Sequence, residues 1–199
     1  MRRVRYQVAV SLDGFIAGPK GDADWIVMDP AIDFEALYKE FDTAIMGRNT
    51  YDVAAAQGNP GMPGLDVIVC SRTLPAGPQK GARIVNDACK EVAELKKRSG
   101  GDIWLFGGGD LFRSLLDARL VDTVEVAVMP VMLGGGIPLL PPGQPAKLKL
   151  VDQKILPNSG IVVLSYLIAG RKAAGAPIAF VRESPARKAA RRRSRRTVH

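Results

Sequence analysis

Residues 103–116 read IWLFGGGDLFRSLL, an apolar run that empties through three consecutive glycines into a stretch with helical spacing. Residues 103–106 have the composition of a buried strand, and Leu111, Leu115 and Leu116 make the apolar stripe of a helix over 110–119. A strand that feeds a helix in this way is the repeating unit of an α/β sheet. Consecutive glycines let backbone approach an anion closely, and a helix start adds free N–H groups and the positive end of its dipole. The run therefore marks Gly107, Gly108, Gly109, Asp110 and Leu111 as candidates for a phosphate cradle, while a tight strand-to-helix turn accounts for them equally well. The G-x-G-x-x-G spacing of a Rossmann site is absent, and the run follows the fifth strand of the chain instead of the first.

Working outward, short runs rich in Val and Ile predict strands at 6–11, 43–46, 67–70 and 83–85. Phe34, Leu37 and Phe41 fall on one face of a helix over 32–41, and Asp87 suits the cap of a helix over 88–98 that stops at Gly100 and Gly101. Beyond 119 the pattern changes. Residues 123–129 alternate like a strand, 130–145 read as loop, and 148–156 and 161–168 form an antiparallel hairpin turned at 157–160. Parallel βα units with an antiparallel hairpin added at the end make an α/β fold, a mixed, mostly parallel sheet covered by helices in three layers.

Composition bounds what such a domain can do. At 199 residues and 47% hydrophobic content, one compact core is expected. The net charge of +8 sits at one end: from Arg171 to His199 there are ten Lys or Arg and one acid, Glu183, so that stretch carries 10 − 1 = +9 and the remainder 18 − 19 = −1. The expectation is a single domain over 1–170 followed by a basic, disordered tail over 171–199. ARKAARRRSRRTVH at 186–199 offers phosphate contacts to nucleic acid, which a solvated extension without aromatics equally explains; the body shows no such sign. Cys70 and Cys89 lack a metal or redox spacing and fit a reducing, cytoplasmic setting. His199 is the single histidine, which argues against histidine triads and histidine-held metal. No stretch is long enough to span a bilayer.

Two further clusters echo the glycine run. AIMGRNTYD at 44–52 ends a strand in Gly47 and follows it with Arg48 and Thr50, and the strand at 67–70 ends in Cys70, Ser71, Arg72 and Thr73. Each alone fits a solvated arginine after a strand. All three lie at the C-terminal ends of strands, the edge along which open α/β sheets bind ligands. Arginine suits the 2′-phosphate of an adenosine, so NADP(H) is favoured over NAD(H).

IMGRNTY at 45–51, IVCSRTL at 68–74, the strand, triple glycine and helix, and Trp25 in the loop after the first strand resemble the dihydrofolate reductase superfamily over residues 6–168. Within it, SLDGFIAG at 11–18, GDLFRSLLDARLVDTVEV at 109–126 and MPVMLGGGIPLL at 129–140 resemble the C-terminal reductase domain of riboflavin biosynthesis. The resemblance implies an NADPH-dependent reductase of a pyrimidine or pterin type of substrate, in a family whose members pair through the sheet as homodimers. By the same resemblance, Ala9 and Ile16 flank the nicotinamide, and Gly47, Arg48 and Thr50 meet the pyrophosphate and ribose. Ser71 and Arg72 would hold the 2′-phosphate, and 107–111 the pyrophosphate from the helix end. Hydride transfer needs orientation and one proton donor, for which Asp33 is the nearest counterpart of the folate-reductase acid, with Glu35 next; a first-turn acid favoured by the helix dipole reads the same way. Asp13-Gly14 fits a turn. Ala127 stands where folate reductases present a hydroxyl, which disfavours dihydrofolate, and no His and Cys cluster for a deaminase zinc precedes the domain.

Overall fold

The computed structural model describes residues 1–58 and 60–170; the basic tail lies outside the described residues. Strands β1 (Val4–Ser11), β3 (Phe41–Gly47), β4 (Asp66–Cys70), β6 (Ala82–Val85), β7 (Asp102–Gly107) and β8 (Thr123–Met129) run parallel at the heart of one sheet. Three antiparallel strands extend it: β5 (Gly77–Gln79) beyond β6, and β11 (Ile161–Ile168) then β10 (Leu148–Leu156) beyond β8. The order across the sheet is β10-β11-β8-β1-β7-β3-β4-β6-β5. A second, two-stranded sheet joins β2 (Phe15–Ala17) to β9 (Ile137–Pro138).

Helices cover both faces, as the mixed α/β pattern demands. Helix α1 (Phe34–Tyr38) and α2 (Arg48–Ala56) supply Leu37 and Tyr51 to a core with Ala44, Met46, Val69 and Trp104. Helix α3 (Ala88–Lys97) and α4 (Gly109–Asp117) supply Val92, Leu95, Leu111 and Leu115 to the opposite core with Val4, Tyr6, Ile45 and Leu105. No helix among the described residues is long and apolar enough to cross a membrane.

Four readings need correction. The helix expected over 32–41 is a five-residue α1, because Phe41 pairs with Asp102 in the sheet and stacks on Trp104 at 5.2 Å between ring centroids. Helix α2 follows Gly47 where only a ligand-binding cluster was read. The loop at 130–145 contains β9, and β1 begins at Val4, two residues early. That early start brings Arg5 into the sheet. Its guanidinium donates to both Glu125 oxygens at 2.8 Å and also meets Glu40, while Gln7 and Thr123 donate to the same Glu125 carboxylate. Asp87 caps α3 as expected, accepting from Lys90 N at 2.9 Å, and the terminal hairpin has the expected bounds.

Candidate active site

The parallel strands deliver the three sequence clusters to one edge. Register pairs Gly47 with Cys70 and Met46 with Gly107, so the ends of β4, β3 and β7 stand side by side. Thr50, in the first turn of α2, leans over the end of β7: a Cβ added at Gly107 would stand 3.3 Å from Thr50 Oγ1. Gly108 has φ +79, in the left-handed region, and turns the chain into α4 without a side chain over the cradle.

Helix starts differ across the molecule. Asp33 caps α1 by accepting from Ala36 N at 3.0 Å, and Asp87 caps α3. Helices α2 and α4 start on Gly47 and Gly108 with no side-chain cap, both at the clustered strand ends. The first N–H groups of a helix have no partner within it, so each start presents several donors along with its dipole. Leu111 buries its side chain in the core, and Asp110 is exposed; each adds a backbone N–H to the first turn of α4.

The two arginine clusters also meet. Arg48 Nη1 donates to Thr73 Oγ1 at 3.1 Å and Arg48 Nε to Asp52 at 3.2 Å. Ser71 Oγ accepts from Leu74 N at 3.0 Å, and Asn86 Nδ2 donates to the carbonyls of Ser71 and Leu74, fixing the turn that carries exposed Arg72. Sequence reasoning missed Asn86, whose partners lie 12 and 15 residues away, and the contact of Thr73 with Arg48, 25 residues away. Burial pushes the Cys70 thiol up to about 12, which makes it an inert apolar group.

Ala9 sits on β1 opposite Ala127 of β8, half-buried on the α1 side of the sheet. Phe106, Trp25, Ile32 and Tyr38 are half-buried and pack on the same core, as does α1, which Asp33 caps. Ile16 on β2 packs on the other side, against the α3 and α4 core. The glycine and arginine clusters thus meet at the ends of β3, β4 and β7, whereas Ala9 and Asp33 lie on the α1 side of the sheet and Ile16 packs against the α3 and α4 core.

This architecture and edge site define a dihydrofolate-reductase-like α/β protein. The chain belongs to the RibD C-terminal domain family, whose model matches residues 2–163. It is 34% identical over 179 residues to the uncharacterized protein YyaP of Bacillus subtilis strain 168, covering 83% of this chain and 94% of that protein. A second uncharacterized protein of that strain, YwjB, is 31% identical over 144 residues, with 69% and 82% covered. Among solved structures, a protein of Shewanella sp. PV-4 provisionally assigned to riboflavin biosynthesis superposes with a TM-score of 0.72 at 26% identity, covering 83% of this chain and 98% of that one. Dihydrofolate reductase of Enterococcus faecalis, solved with NADP(H), shares the fold at TM-score 0.65 and 17% identity, over 84% and 96% of the two chains. The deaminase and 5-amino-6-(5-phosphoribosylamino)uracil reductase of Thermotoga maritima does so at TM-score 0.63 and 17% identity, over 84% of this chain and 57% of that one.

Proposed function

We propose that the protein is an NADPH-dependent reductase that transfers a hydride to a heterocyclic substrate of pyrimidine or pterin type, resembling 5-amino-6-(5-phosphoribosylamino)uracil reductase. The observation that carries this reading is the pair of uncapped helix starts, α2 and α4, side by side at one sheet edge with Thr50 against Gly107. Two free helix starts suit a diphosphate: each adds N–H donors and dipole charge, and glycine leaves space for close approach. Gly47, Arg48, Thr50 and 107–111 would hold the pyrophosphate and ribose there. Ser71 and Arg72 follow β4, one strand further out, in keeping with a 2′-phosphate that an exposed guanidinium grips with paired hydrogen bonds. Ala9 and Ile16 would flank the nicotinamide.

Bound in this groove, the reduced dinucleotide supplies the hydride. What remains for the protein is to orient two rings, exclude water and deliver one proton. The apolar face around Ala9, Phe106 and Ala127 receives the substrate ring, and Asp33 at its margin gives the proton. Ala127 beside Ala9 offers no hydroxyl to support a folate-type carboxylate, which favours the riboflavin-type substrate over dihydrofolate. Free Cys70 and Cys89 accord with a reducing, cytoplasmic setting. Two chains pair as a homodimer through β10, the outermost strand, where Leu148, Leu150 and Ile155 are exposed.

Titration followed by reduced-nicotinamide fluorescence tests the reading. NADPH binds at least about tenfold more tightly than NADH, and Arg72→Ala loses about 10- to 100-fold in NADPH affinity, the worth of hydrogen bonds to a charged group, while NADH binding is unchanged. Arg48→Ala weakens NADPH binding as well. Equal affinity of the wild type for the two coenzymes removes the 2′-phosphate site.

A further inference from the structure

Residues 131–141, between β8 and β10, run from the end of β8 past the turn that follows β1 to the start of α4. Leu12 N donates to Val131 O at 2.8 Å, Leu139 N donates to Gly14 O at 2.9 Å, and between these two points β9 pairs with β2. At its far end the segment abuts the glycine cradle: a Cβ added at Gly109 would stand 2.8 Å from Pro138 O and 3.1 Å from Pro141 Cδ. One strap therefore touches both β2, which carries Ile16, and the start of α4. Near its start it is held by an exposed carboxylate. Asp13 accepts from Leu133 N at 3.1 Å and Gly134 N at 2.7 Å, and Ser11 Oγ donates to it at 2.6 Å. Ser11 Oγ accepts in turn from Phe15 N at 2.9 Å, so the turn is fixed before it reaches the strap.

We propose that Asp13 is a positioning residue of the dinucleotide groove, a clasp that fixes the strap 131–141 to the turn after β1 and so sets the spacing between β2 and the start of α4. The proposal rests on the dinucleotide reading above. Asp13 acts through the strap and needs no contact with the coenzyme. The hydrogen bonds from Ser11, then those from Gly134 and Leu133, hold its carboxyl down to about 2, so the clasp stays ionised wherever the protein is folded at ordinary pH. A neutral amide at the same position keeps the shape but loses the charge and one of the two acceptor oxygens, and Leu133 N and Gly134 N bond to different oxygens of the carboxylate.

The test compares wild type with Asp13→Asn in NADPH affinity, amide exchange at Leu133 and Gly134, and thermal midpoint. The variant is expected to bind NADPH about tenfold more weakly and to exchange both amides about tenfold faster. Its midpoint stays within about 3 °C, because neither core is touched. A purely structural role would lower the midpoint and leave affinity alone. Should Asp13→Asn fail to fold, Ser11→Ala, which removes one donor and keeps the charge, is expected to weaken NADPH binding about threefold. Wild-type protein that binds no NADPH refutes the dinucleotide reading; wild-type binding with variant affinity within about twofold refutes the clasp alone.

Discussion

Glu125 is 6% exposed in the middle of the sheet, and its charge is sustained by what surrounds it. Burial alone would raise its pKa, but the hydrogen bond and charge of Arg5, followed by Gln7 and Thr123, reverse this and hold it low. Arg5, for which burial would lower the pKa, is raised by Glu125 and Glu40 in the same way. Glu125→Gln leaves the guanidinium short of a buried partner and is expected to cost about 3 kcal/mol at neutral pH, read by urea unfolding. Because the folded pKa is depressed, the wild-type advantage is present above the ordinary glutamate value of 4.5 and shrinks as pH falls below it. A variant as stable as wild type at pH 7 would show that the ion pair contributes nothing net. Asp33 poses a different question, since it caps α1 whatever else it does. Asparagine caps as well as aspartate but cannot give up a carboxyl proton. Asp33→Asn is therefore expected to keep the thermal midpoint and lose roughly 100-fold or more in turnover, the usual weight of a general acid. Asp33→Ala should lose both. Full turnover by Asp33→Asn would leave Asp33 a cap and nothing more.

At the scale of elements, helix starts away from the candidate site are capped and those beside it are open. Helices α1 and α3 start on aspartates that close their own N–H groups, whereas α2 and α4 start on glycine and leave theirs available. The capped α3 and the amphipathic α4 were legible because Val92 and Leu95, and Leu111, Leu115 and Leu116, repeat at helical spacing beside recognisable start signals. Helix α2 was not legible. RNTYDVAAA begins after a glycine without a capping side chain, and it buries chiefly Tyr51, so neither signal is present. Strands β2 and β9, three and two residues long, are too short to alternate. Phe41 fits the periodicity of α1 but is claimed by its sheet partner and by Trp104, a contact between residues far apart in the chain. The site followed the same rule. That Gly47, Arg48, Ser71, Arg72 and 107–111 gather at one sheet edge was readable because each lies where a strand ends, a local feature. The contact of Thr50 with Gly107, the bracing by Asn86 and the reach of Asp13 to Leu133, 120 residues on, are long-range and leave no local pattern.

Across the whole molecule, the sheet is finished differently at its two ends. One end stops at β5, a three-residue strand whose shortness limits pairing with another chain. The other stops at β10, nine residues long, with an edge that no described residue pairs. Register shifts between Leu150 and Asp152, so Val151 is an extra residue that reverses the alternation at that point. Leu148, Leu150 and Ile155 consequently face the same side, opposite Ile168, Tyr166 and Val162, and Ile155 is 70% exposed. A long edge with an apolar face invites pairing, and a second copy of the same edge satisfies it with twofold symmetry, since the same residues serve both partners. The homodimer proposed above should therefore depend on this face. Light scattering behind size exclusion at micromolar concentration is expected to give a dimer for wild type and a monomer for Ile155→Lys, with NADPH affinity changed less than about twofold because the residues proposed to hold its phosphates lie at the ends of β3, β4 and β7, strands away from β10. A wild-type monomer under those conditions refutes the dimer, and an Ile155→Lys protein that remains dimeric moves the interface elsewhere.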